Sequence, residues 1–519
     1  MHVLTTTHWP PEGAFQVKKQ DSRILRKRKR QIARRLARRT WREQAKPMLR
    51  ARTVQYEMGD RVRAINCGGI GAFQVLAQRI GLVRGLNANL SLLKRHLPYH
   101  ESDHVLNIAY NTLTGGTCLD DLERRRQDVG YLEALGAQRI PDPTTAGDFT
   151  RRFGAEDVTA LMETLNGIRP RVWQRRLSRA ERAEAILDVD GTIAPTTGEC
   201  KEGMGLSYKG VWGYHPLLIS LANTSEPLYL VNRSGNRPSH EGAADWIDRA
   251  AAVVRPVFDR VVVRGDTDFA LTAHFDRWTE AGVRFAFGID AMPNLVDVAE
   301  GLDPAAWRDL ERRAKRAVAG SERQRPENVK ERIVREHGYK NIRLQSESVA
   351  EVSYRPTKCR RAYRLVIVRK NLSVERGDQV LFPDIRYFFS ITNIDTMTAP
   401  EVVFFGNDRC NQENLIEQLK SGLNALRMPV GDLVSNWAYM VMASLAWTLK
   451  AWFALVVRNG ERRATLVKME FRRFLLGLVQ VPAQIVRTGR RIVYRILGYT
   501  EWTRTFLEAC EDLRAWGRA

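Results

Sequence analysis

The sequence predicts an α/β protein in which a sheet-forming core lies between two helical regions and is interrupted by a β-rich insertion. Three observations support this fold class. Short aliphatic runs alternate with amphipathic segments over residues 183–295, which indicates strands alternating with helices. Three stretches within residues 349–394 alternate apolar and polar side chains, as antiparallel strands do. Residues 72–152 and the tail after residue 461 show the apolar spacing of helices.

Changes of composition along the 519 residues divide the chain into segments. The predicted segments are a basic extension (1–60), a helical domain (61–155), the first part of the core (183–295), an insertion that is partly β (296–398), the second part of the core (399–460) and basic C-terminal helices (461–519). Within the insertion, residues 302–335 are predicted to be charged and helical.

Positive charge is concentrated near the N-terminus. The chain has a net charge of +23, and residues 18–52 contain 16 basic and 2 acidic side chains. Such a segment offers many contacts to a phosphate backbone, with an affinity that falls as salt rises. A solvated basic tail explains a charge run about as well. The candidate nucleic-acid contacts here are Arg26, Lys27, Arg28, Lys29 and Arg30.

Cysteine spacing and hydropathy indicate the cellular compartment in which the protein is expected. The six cysteines show no CxxC or paired spacing, which argues against a zinc site and a disulfide framework. The N-terminal residues lack a charged segment followed by an apolar run, so no secretory signal is expected. Residues 436–457 are apolar enough to imitate a membrane span, but Lys450 near their middle favours a core helix. We expect a cytoplasmic protein without a membrane partner.

The order of elements in the core has a recognisable form. Strands are predicted at residues 186–191, 215–222 and 227–233, followed by a helix at residues 239–254. A further strand at residues 260–266 and a helix at residues 270–281 come next. Three strands, a helix, a strand and a helix are the order of a ribonuclease H-like domain.

Three acidic residues lie where carboxylates can converge. Asp190 and Asp266 each end an aliphatic run that is predicted to be a buried strand, and Glu413 lies in a predicted helix. Carboxylates from two neighbouring strands and a later helix can hold two divalent ions about 3.5–4 Å apart, as phosphodiester chemistry requires. The pattern therefore predicts a nuclease or a strand-transfer enzyme.

In the predicted helix that contains Glu413, one cationic side chain precedes this glutamate and another follows it. Arg409, Glu413 and Lys420 are separated by offsets of four and seven residues, which return to nearly the same face of an α-helix. Arg409 and Lys420 are candidate phosphate contacts, although a salt bridge or a solvated lysine would also explain them. A stripe of apolar residues would pack the helix on a core: Leu415, Ile416, Leu419 and Leu423.

Asp188 leaves a second class of enzyme open. It lies two residues before Asp190 and faces the same side of the strand, where it could assist metal binding or be a hydrogen-bonded core acid. The motif DxDGT also opens the haloacid-dehalogenase-like phosphatases, in which the first aspartate is the nucleophile. That family leaves the Arg409 to Lys420 helix and the basic extension unexplained.

Taken in order, the motifs resemble those of a known family. DGT at residues 190–192, GYHPLL at 213–218, RSGN at 233–236, RGDTDFA at 264–270 and the Arg409, Glu413, Lys420 helix resemble the group 1 DDE transposases of bacterial insertion sequences, most closely the IS-thirteen-eighty family. The match runs from about residue 68 to near the C-terminus.

The resemblance implies a fold, a cofactor and partners. It implies a ribonuclease H-like core with a β-rich insertion and a helical region that binds DNA, and it makes Asp190, Asp266 and Glu413 the catalytic and metal-binding triad. Two Mg²⁺ ions, with Mn²⁺ as a substitute, would support DNA cleavage and strand transfer at terminal inverted repeats in cut-and-paste movement. The expected partners are double-stranded DNA with such repeats, target DNA and a second copy of the chain in a synaptic complex. The protein would be bacterial and associated with the nucleoid when bound to DNA.

Two positions depart from the family pattern. Gly406 stands where relatives have a tyrosine three residues before the arginine, so a phosphate contact is lost or replaced. Asp268 stands two residues after the second aspartate, where its additional carboxylate could bind metal or compete for it. A degenerate transposase that binds DNA without cutting it is therefore a further alternative.

Overall fold

The structure is a computed structural model that describes residues 18–37, 63–198, 200–311, 337, 340–376, 379–488 and 491–516. The strands of the described residues are β1 (Ala64–Ile65), β2 (Ala185–Gly191), β3 (Ala194–Pro195), β4 (Gly205–Leu206), β5 (Trp212–Tyr214), β6 (Leu217–Leu221), β7 (Glu226–Val231), β8 (Val261–Gly265), β9 (Val283–Ile289), β10 (Arg308–Asp309), β11 (Lys340–Tyr354), β12 (Tyr363–Arg376), β13 (Gln379–Thr392), β14 (Ala483–Thr488) and β15 (Arg491–Ile496).

Helices precede, cover and follow these strands. Their bounds are α1 (Lys19–Ala37), α2 (Ile70–Arg79), α3 (Leu82–Asn89), α4 (Glu101–Leu113), α5 (Asp121–Gln127), α6 (Val129–Leu135), α7 (Pro143–Thr150), α8 (Ala155–Arg176), α9 (Ala243–Val254), α10 (Phe275–Glu280), α11 (Pro293–Glu300), α12 (Ala399–Asn407), α13 (Cys410–Glu417), α14 (Leu433–Val456), α15 (Gly460–Lys468), α16 (Phe471–Phe474) and α17 (Thr503–Ala515). The predicted mixture of helices and strands is confirmed.

A nine-stranded mixed sheet forms the centre, in the order β10-β11-β12-β13-β9-β8-β2-β6-β7. At one end of this order, β7, β6 and β2 are antiparallel, whereas β2, β8 and β9 are parallel. Helix α10 connects the neighbouring strands β8 and β9, because parallel neighbours need a crossover connection, and α9 connects β7 to β8 across the two strands that lie between them. Strands β6, β7 and β8 are buried throughout, which explains their continuous apolar runs.

The insertion extends this sheet rather than forming a separate one. The three long strands β11, β12 and β13 pair antiparallel, as their alternating pattern predicts. Strand β13 then pairs with β9, with Phe389 opposite Ile289. The prediction of a helix over residues 302–335 is wrong for the described part, since residues 302–311 contain a single helical turn and β10. Asp303 and Pro304 begin that turn, and Trp307 is already extended. Residues 312–335 lie outside the described residues.

Helix α14 is the buried core helix that was predicted. It is long and apolar enough to cross a membrane by length and composition, and its whole apolar window is buried within the protein. It packs against α4, α8 and β7. Lys450 is fully buried, where its Nζ donates to the carbonyl of Val467 at 2.9 Å and lies 3.7 Å from the ring centre of Trp447. A carbonyl and an aromatic face thus replace the water that this lysine loses.

A buried ion pair lies where α8, β7 and α14 meet. Glu226, at the start of β7, accepts from the guanidinium of Arg169 in α8 and from the indole nitrogens of Trp173 and Trp452 at 2.7 and 2.8 Å. Since both charged groups are buried and hydrogen-bonded, the pair holds α8, β7 and α14 in one arrangement.

The C-terminal segment differs from its prediction as basic helices. Residues 483–488 and 491–496 form the antiparallel pair β14–β15, and β1 adds a third strand to it. Ile485, Val486, Ile492 and Val493 explain the difference, because β-branched side chains fit a pleated surface and alternate across it. Helices α15, α16 and α17 form as expected.

Candidate functional site

Two acidic residues meet at one edge of the parallel strands. Strand β2 pairs with β8 in a register that places Asp188 opposite Arg264. Asp190 and Asp266 lie two residues further along their chains, so the register carries both carboxylates to the same edge of the sheet. The side chain of Asp190 is 15% exposed and that of Asp266 is 37% exposed.

Arg409 lies between these carboxylates. It immediately precedes α13, and its NH1 lies 3.4 Å from Oδ2 of Asp190 and 3.7 Å from Oδ2 of Asp266. The salt bridge that the sequence left open for Arg409 is formed with the two strand-end aspartates. A single guanidinium therefore neutralises part of the negative charge that converges there.

Glu413 lies in the first turn of α13 and is exposed to solvent. Its charge contributes, after burial and Asp266, to the raised pKa of Asp190. The helix is fixed on the core by the four predicted apolar residues, all buried, and by Gln412, whose Nε2 donates to the carbonyl of Leu218 at 3.2 Å. Helix α13 is thus attached to β6 next to Glu413, and Glu413 itself stays exposed.

The strand-end carboxyls both have a raised pKa. Burial raises the pKa of Asp190 to about 6, Arg409 opposes this shift, and Asp266 and Glu413 add to it. Burial also raises the pKa of Asp266, with a contribution from Asp268. Clustered carboxylates in a partly buried place favour the binding of a cation, because a cation removes their mutual repulsion.

The three carboxylates do not close into a compact ligand set by themselves. Among the described residues, His96, His100 and Glu101 form the group whose potential metal-binding atoms all lie within 4.8 Å of one another. Asp190, Asp266 and Glu413 are more widely separated, with Arg409 between the first two.

Asp188 is held in a different way from Asp190. It is 1% exposed, and its two oxygens accept from Nε and NH2 of Arg264 at 2.7 and 2.9 Å. Arg264 also donates to the carbonyl of Phe405 at 2.8 Å and so ties α12 to the sheet. A buried carboxylate occupied on both oxygens is a structural acid. This geometry favours the core-acid interpretation over a metal ligand or a phosphatase nucleophile.

Asp268 is exposed, and its backbone N–H donates to Oδ1 of Asp266 at 3.1 Å. It therefore orients Asp266 through its main chain and acts on it through its charge. Its own carboxylate stays on the solvent side of the cluster.

Lys420 lies outside the regular part of its helix. Helix α13 ends at Glu417 and a π-helical turn spans Gln418–Gly422, so the predicted spacing of 100° per residue holds only up to Glu417. Burial lowers the pKa of Lys420, and the charge of Asp190 opposes this effect. Lys420 is consequently within electrostatic reach of the carboxylate cluster.

Gly406 borders a cavity of about 510 Å³. A Cβ atom at this position would meet open space. Lys370 and Tyr387, from the insertion strands, line the same cavity with Asp266 and Arg409. Sequence reasoning missed both residues, because only the pairing of β13 with β9 brings them to this edge.

The basic residues of the N-terminal extension form one described helix, α1. Arg26, Lys27, Lys29 and Arg30 are exposed on it. Arg28 is half-buried and donates to the carbonyls of Ile496 and Gly498 at 3.1 and 3.0 Å. The extension therefore packs against the end of β15 through Arg28 and keeps its other charges on the surface. Its predicted parts at residues 1–17 and 38–60 lie outside the described residues.

Comparison with known proteins identifies a family and similar solved structures. The family described as Transposase DDE domain group 1 matches residues 47–517. One of these solved structures is a cryo-EM structure of a piggyBac transposase synaptic complex with hairpin DNA, with 12% sequence identity and a TM-score of 0.35, covering 80% of this chain and 82% of that chain. Among curated proteins, none matches the sequence.

Proposed function

Because the chain belongs to the family Transposase DDE domain group 1, we propose that it cleaves and joins DNA at the terminal inverted repeats of an insertion sequence. The observation that carries the proposal is the meeting of Asp190 and Asp266 at one sheet edge, with Glu413 acting electrostatically on Asp190. The finer assignments, namely cut-and-paste movement, the IS-thirteen-eighty family and a bacterial host, belong to the same proposal.

The proposal includes a ribonuclease H-like core made of β7, β6, β2, β8 and β9. Three antiparallel strands followed by two parallel ones, with helical crossovers, support that assignment. In open sheets of this kind, ligands bind outside the carboxyl ends of the parallel strands. Asp190 and Asp266 lie at those ends.

The donor set suits a divalent cation. Asp190, Asp266 and Glu413 offer only carboxylate oxygens, which Mg²⁺ and Mn²⁺ prefer over sulfur or nitrogen ligands. Such ions, when bound, acidify a water molecule and neutralise charge on the scissile phosphate and its leaving oxygen. The raised pKa of Asp190 indicates a site at which an added positive charge relieves repulsion.

The chain's own residues would hold the phosphate. Arg409 can engage two oxygens at once with its planar fork, and its present carboxylate contacts of 3.4 and 3.7 Å are long enough to be exchanged for phosphate oxygens. Lys420 adds a second positive charge near Asp190. Tyr387 and Lys370 line the cavity next to Gly406, where they can replace the missing tyrosine as hydrogen-bond donors.

Cleavage of a labelled duplex that carries the element's terminal repeat tests the proposal. We expect cutting at the repeat boundary in Mg²⁺ or Mn²⁺, with loss of cutting but not of DNA binding in Glu413→Gln. The matched control is Glu417→Gln, an exposed glutamate one turn further along α13, which should cut like the wild type. Binding without wild-type cleavage in either ion would indicate a degenerate transposase. Equal cleavage by Glu413→Gln would overturn the assigned triad.

A further inference from the structure

The connection between α3 and α4 brings two histidines and a glutamate together. Residues 90–100, which make this connection, contain neither helix nor strand. The potential metal-binding atoms of His96, His100 and Glu101 all lie within 4.8 Å of one another. The cluster belongs to the helical region and takes no part in the sheet edge of Asp190 and Asp266. It therefore needs an explanation of its own.

Glu101 has a fixed carboxylate. The residue is only 1% exposed, and its Oε1 accepts from the backbone N–H groups of Leu92 and Leu93, both at 3.2 Å. Its Oε2 accepts from Nε2 of His96 at 3.1 Å. Carboxylates that bind metals are commonly oriented in this way, with hydrogen bonds from the surrounding protein. Glu101 is thus oriented towards His96 before any ion binds.

The two histidines lie side by side at the surface. The side chain of His96 is 46% exposed, and His100 is also exposed. Their ring centres are 4.3 Å apart, with 18° between the ring planes. The main chain of His100 is fixed at the start of α4, because its N–H donates to Oδ2 of Asp103 at 2.8 Å. The backbone therefore holds both imidazoles next to Glu101 while their rings keep room to turn.

The spacing of these groups suits a small tetrahedral ion. Nitrogen and oxygen ligands bind Zn²⁺ at about 2.0–2.2 Å, so two of them lie about 3.3 Å apart around the ion. The contact of 3.1 Å between His96 and Glu101 is close to that value. Both imidazole lone pairs must point at the ion, so the ring of His100 has to tilt out of the stack by about 1 Å. Its exposure permits this movement.

The ligand types favour Zn²⁺ over Mg²⁺. Two imidazoles and one carboxylate suit zinc, whereas Mg²⁺ prefers oxygen ligands alone. The absence of paired cysteine spacing argues against a thiolate site, and this cluster uses no sulfur. Lys94 and Arg95 precede the cluster in sequence, but both are exposed, where water and salt screen their charge.

We propose that His96, His100 and Glu101 bind Zn²⁺ and that the ion fastens residues 90–100 to the start of α4. The ion takes the place of the proton that Nε2 of His96 shares with Glu101, and that proton is released to solvent. Water completes the coordination, since the cluster supplies three protein ligands. This site is independent of the proposed DNA cleavage.

Competition with a chromophoric chelator tests the site in the full chain. The protein is first stripped of metal and then titrated with Zn²⁺ in excess Mg²⁺, which occupies oxygen-only sites. We expect the wild type to bind Zn²⁺ and His100→Ala to bind it at least about tenfold more weakly, because losing even an outer partner of a metal ligand has that effect. His100→Cys offers a thiolate in place of the imidazole and should restore part of the affinity.

Two control variants make the test specific. His240→Ala removes an exposed histidine from another part of the chain and should bind Zn²⁺ like the wild type. Asp190→Asn alters the carboxylate cluster and should also leave this affinity unchanged. Circular dichroism verifies that each variant is folded.

Two further measurements identify the ligands and the effect of the ion. Co²⁺ in place of Zn²⁺ should give the visible absorption of a four-coordinate ion in the wild type, and His96→Ala should lose it. Zn²⁺ should raise the midpoint of thermal unfolding of the wild type and leave that of His100→Ala unchanged, because an ion that binds only the folded chain stabilises it.

The outcomes separate this site from the proposed function. Equal Zn²⁺ affinity in the wild type, His96→Ala and His100→Ala overturns the site, as does a wild type that binds no Zn²⁺. Loss of Zn²⁺ binding in Asp190→Asn would assign the ion to the carboxylate cluster and also overturn it. Histidine-dependent Zn²⁺ binding by a wild type that never cleaves a terminal repeat supports the site and contradicts the enzyme.

Discussion

Asp188 and Asp190 lie two residues apart on β2 and have opposite chemical environments. Asp188 is closed off by two hydrogen bonds from Arg264, while Asp190 faces Arg409 at a longer distance and has a pKa of about 6. The alternation of a strand places both on one side, and they then differ in their partners, because Arg264 occupies both oxygens of Asp188 whereas Asp190 keeps part of its carboxylate exposed.

Arg264→Ala should be strongly destabilising. It leaves Asp188 as a buried charge without a partner, which costs about 3–5 kcal/mol. Chemical denaturation measures this loss. The control is Arg504→Ala, which breaks the exposed Arg504–Glu508 pair and should cost less than about 1 kcal/mol. A loss in Arg264→Ala as small as the control's would contradict the structural role of Asp188.

Asp190→Asn should stabilise the protein at neutral pH in the presence of a chelator. The folded chain keeps a proton on Asp190 up to about pH 6, whereas the unfolded chain releases it near the usual 3.8, so wild-type stability falls as pH rises through this window. The variant avoids that loss and should be more stable at pH 7 by roughly 2–3 kcal/mol, with little advantage at pH 4.

Denaturation curves at both pH values measure this difference, and added Mg²⁺ should stabilise the wild type but not the variant. A variant that is less stable than the wild type at pH 7 would contradict the assigned environment of Asp190.

At the scale of elements, α14 combines full burial with one ionisable group. Burial lowers the pKa of Lys450 to about 7. Between pH 7 and the usual 10.5, the unfolded chain holds a proton that the folded chain has released, so stability rises with pH.

Lys450→Met lacks this dependence, and its stability relative to the wild type should decline by up to about 1.4 kcal/mol per pH unit above pH 7. Urea denaturation between pH 6 and 9 gives the free energy of unfolding of both proteins. The difference between the two free energies, plotted against pH, gives the slope. A difference that stays constant over that range would show that Lys450 keeps its proton.

Local patterns predicted some elements because short-range periodicity determines them. The strand-end aspartates, the helix of Glu413 and α14 belong to this group. The sequence of β14 and β15 predicted a helix because its arginines and aliphatic residues also fit a helical spacing. In the structure, β14 pairs with both β1 and β15, and this pairing stabilises strands instead. The approach of Tyr387 to Asp266 depends on contacts between distant segments, which no local pattern contains.

At the scale of the whole molecule, the net charge of +23 favours a polyanionic partner. Four of its exposed cations lie together on α1, and Arg28 in the same run is engaged with backbone carbonyls. Changing Arg26, Lys27, Lys29 and Arg30 to glutamine should reduce the slope of log affinity against log salt by up to about 3–4, because each phosphate contact contributes about 0.9.

DNA binding measured over a series of salt concentrations gives this slope. Arg28→Gln is the matched control, expected to lower thermal stability and to leave the slope within about 1 of the wild type. An unchanged slope in the fourfold variant would remove α1 from the DNA-binding surface.

The central claim is that Asp190, Asp266 and Glu413 hold the divalent cation, and cleavage of the polypeptide by bound Fe²⁺ tests it most directly. Fe²⁺ in place of Mg²⁺, with ascorbate and peroxide, produces radicals that cut the backbone next to the ion. We expect fragments that end near residues 190, 266 and 413, suppressed by excess Mg²⁺ and absent in Asp190→Asn. Fragments confined to the neighbourhood of His96, His100 and Glu101, with none near the three carboxylates, would contradict the claim.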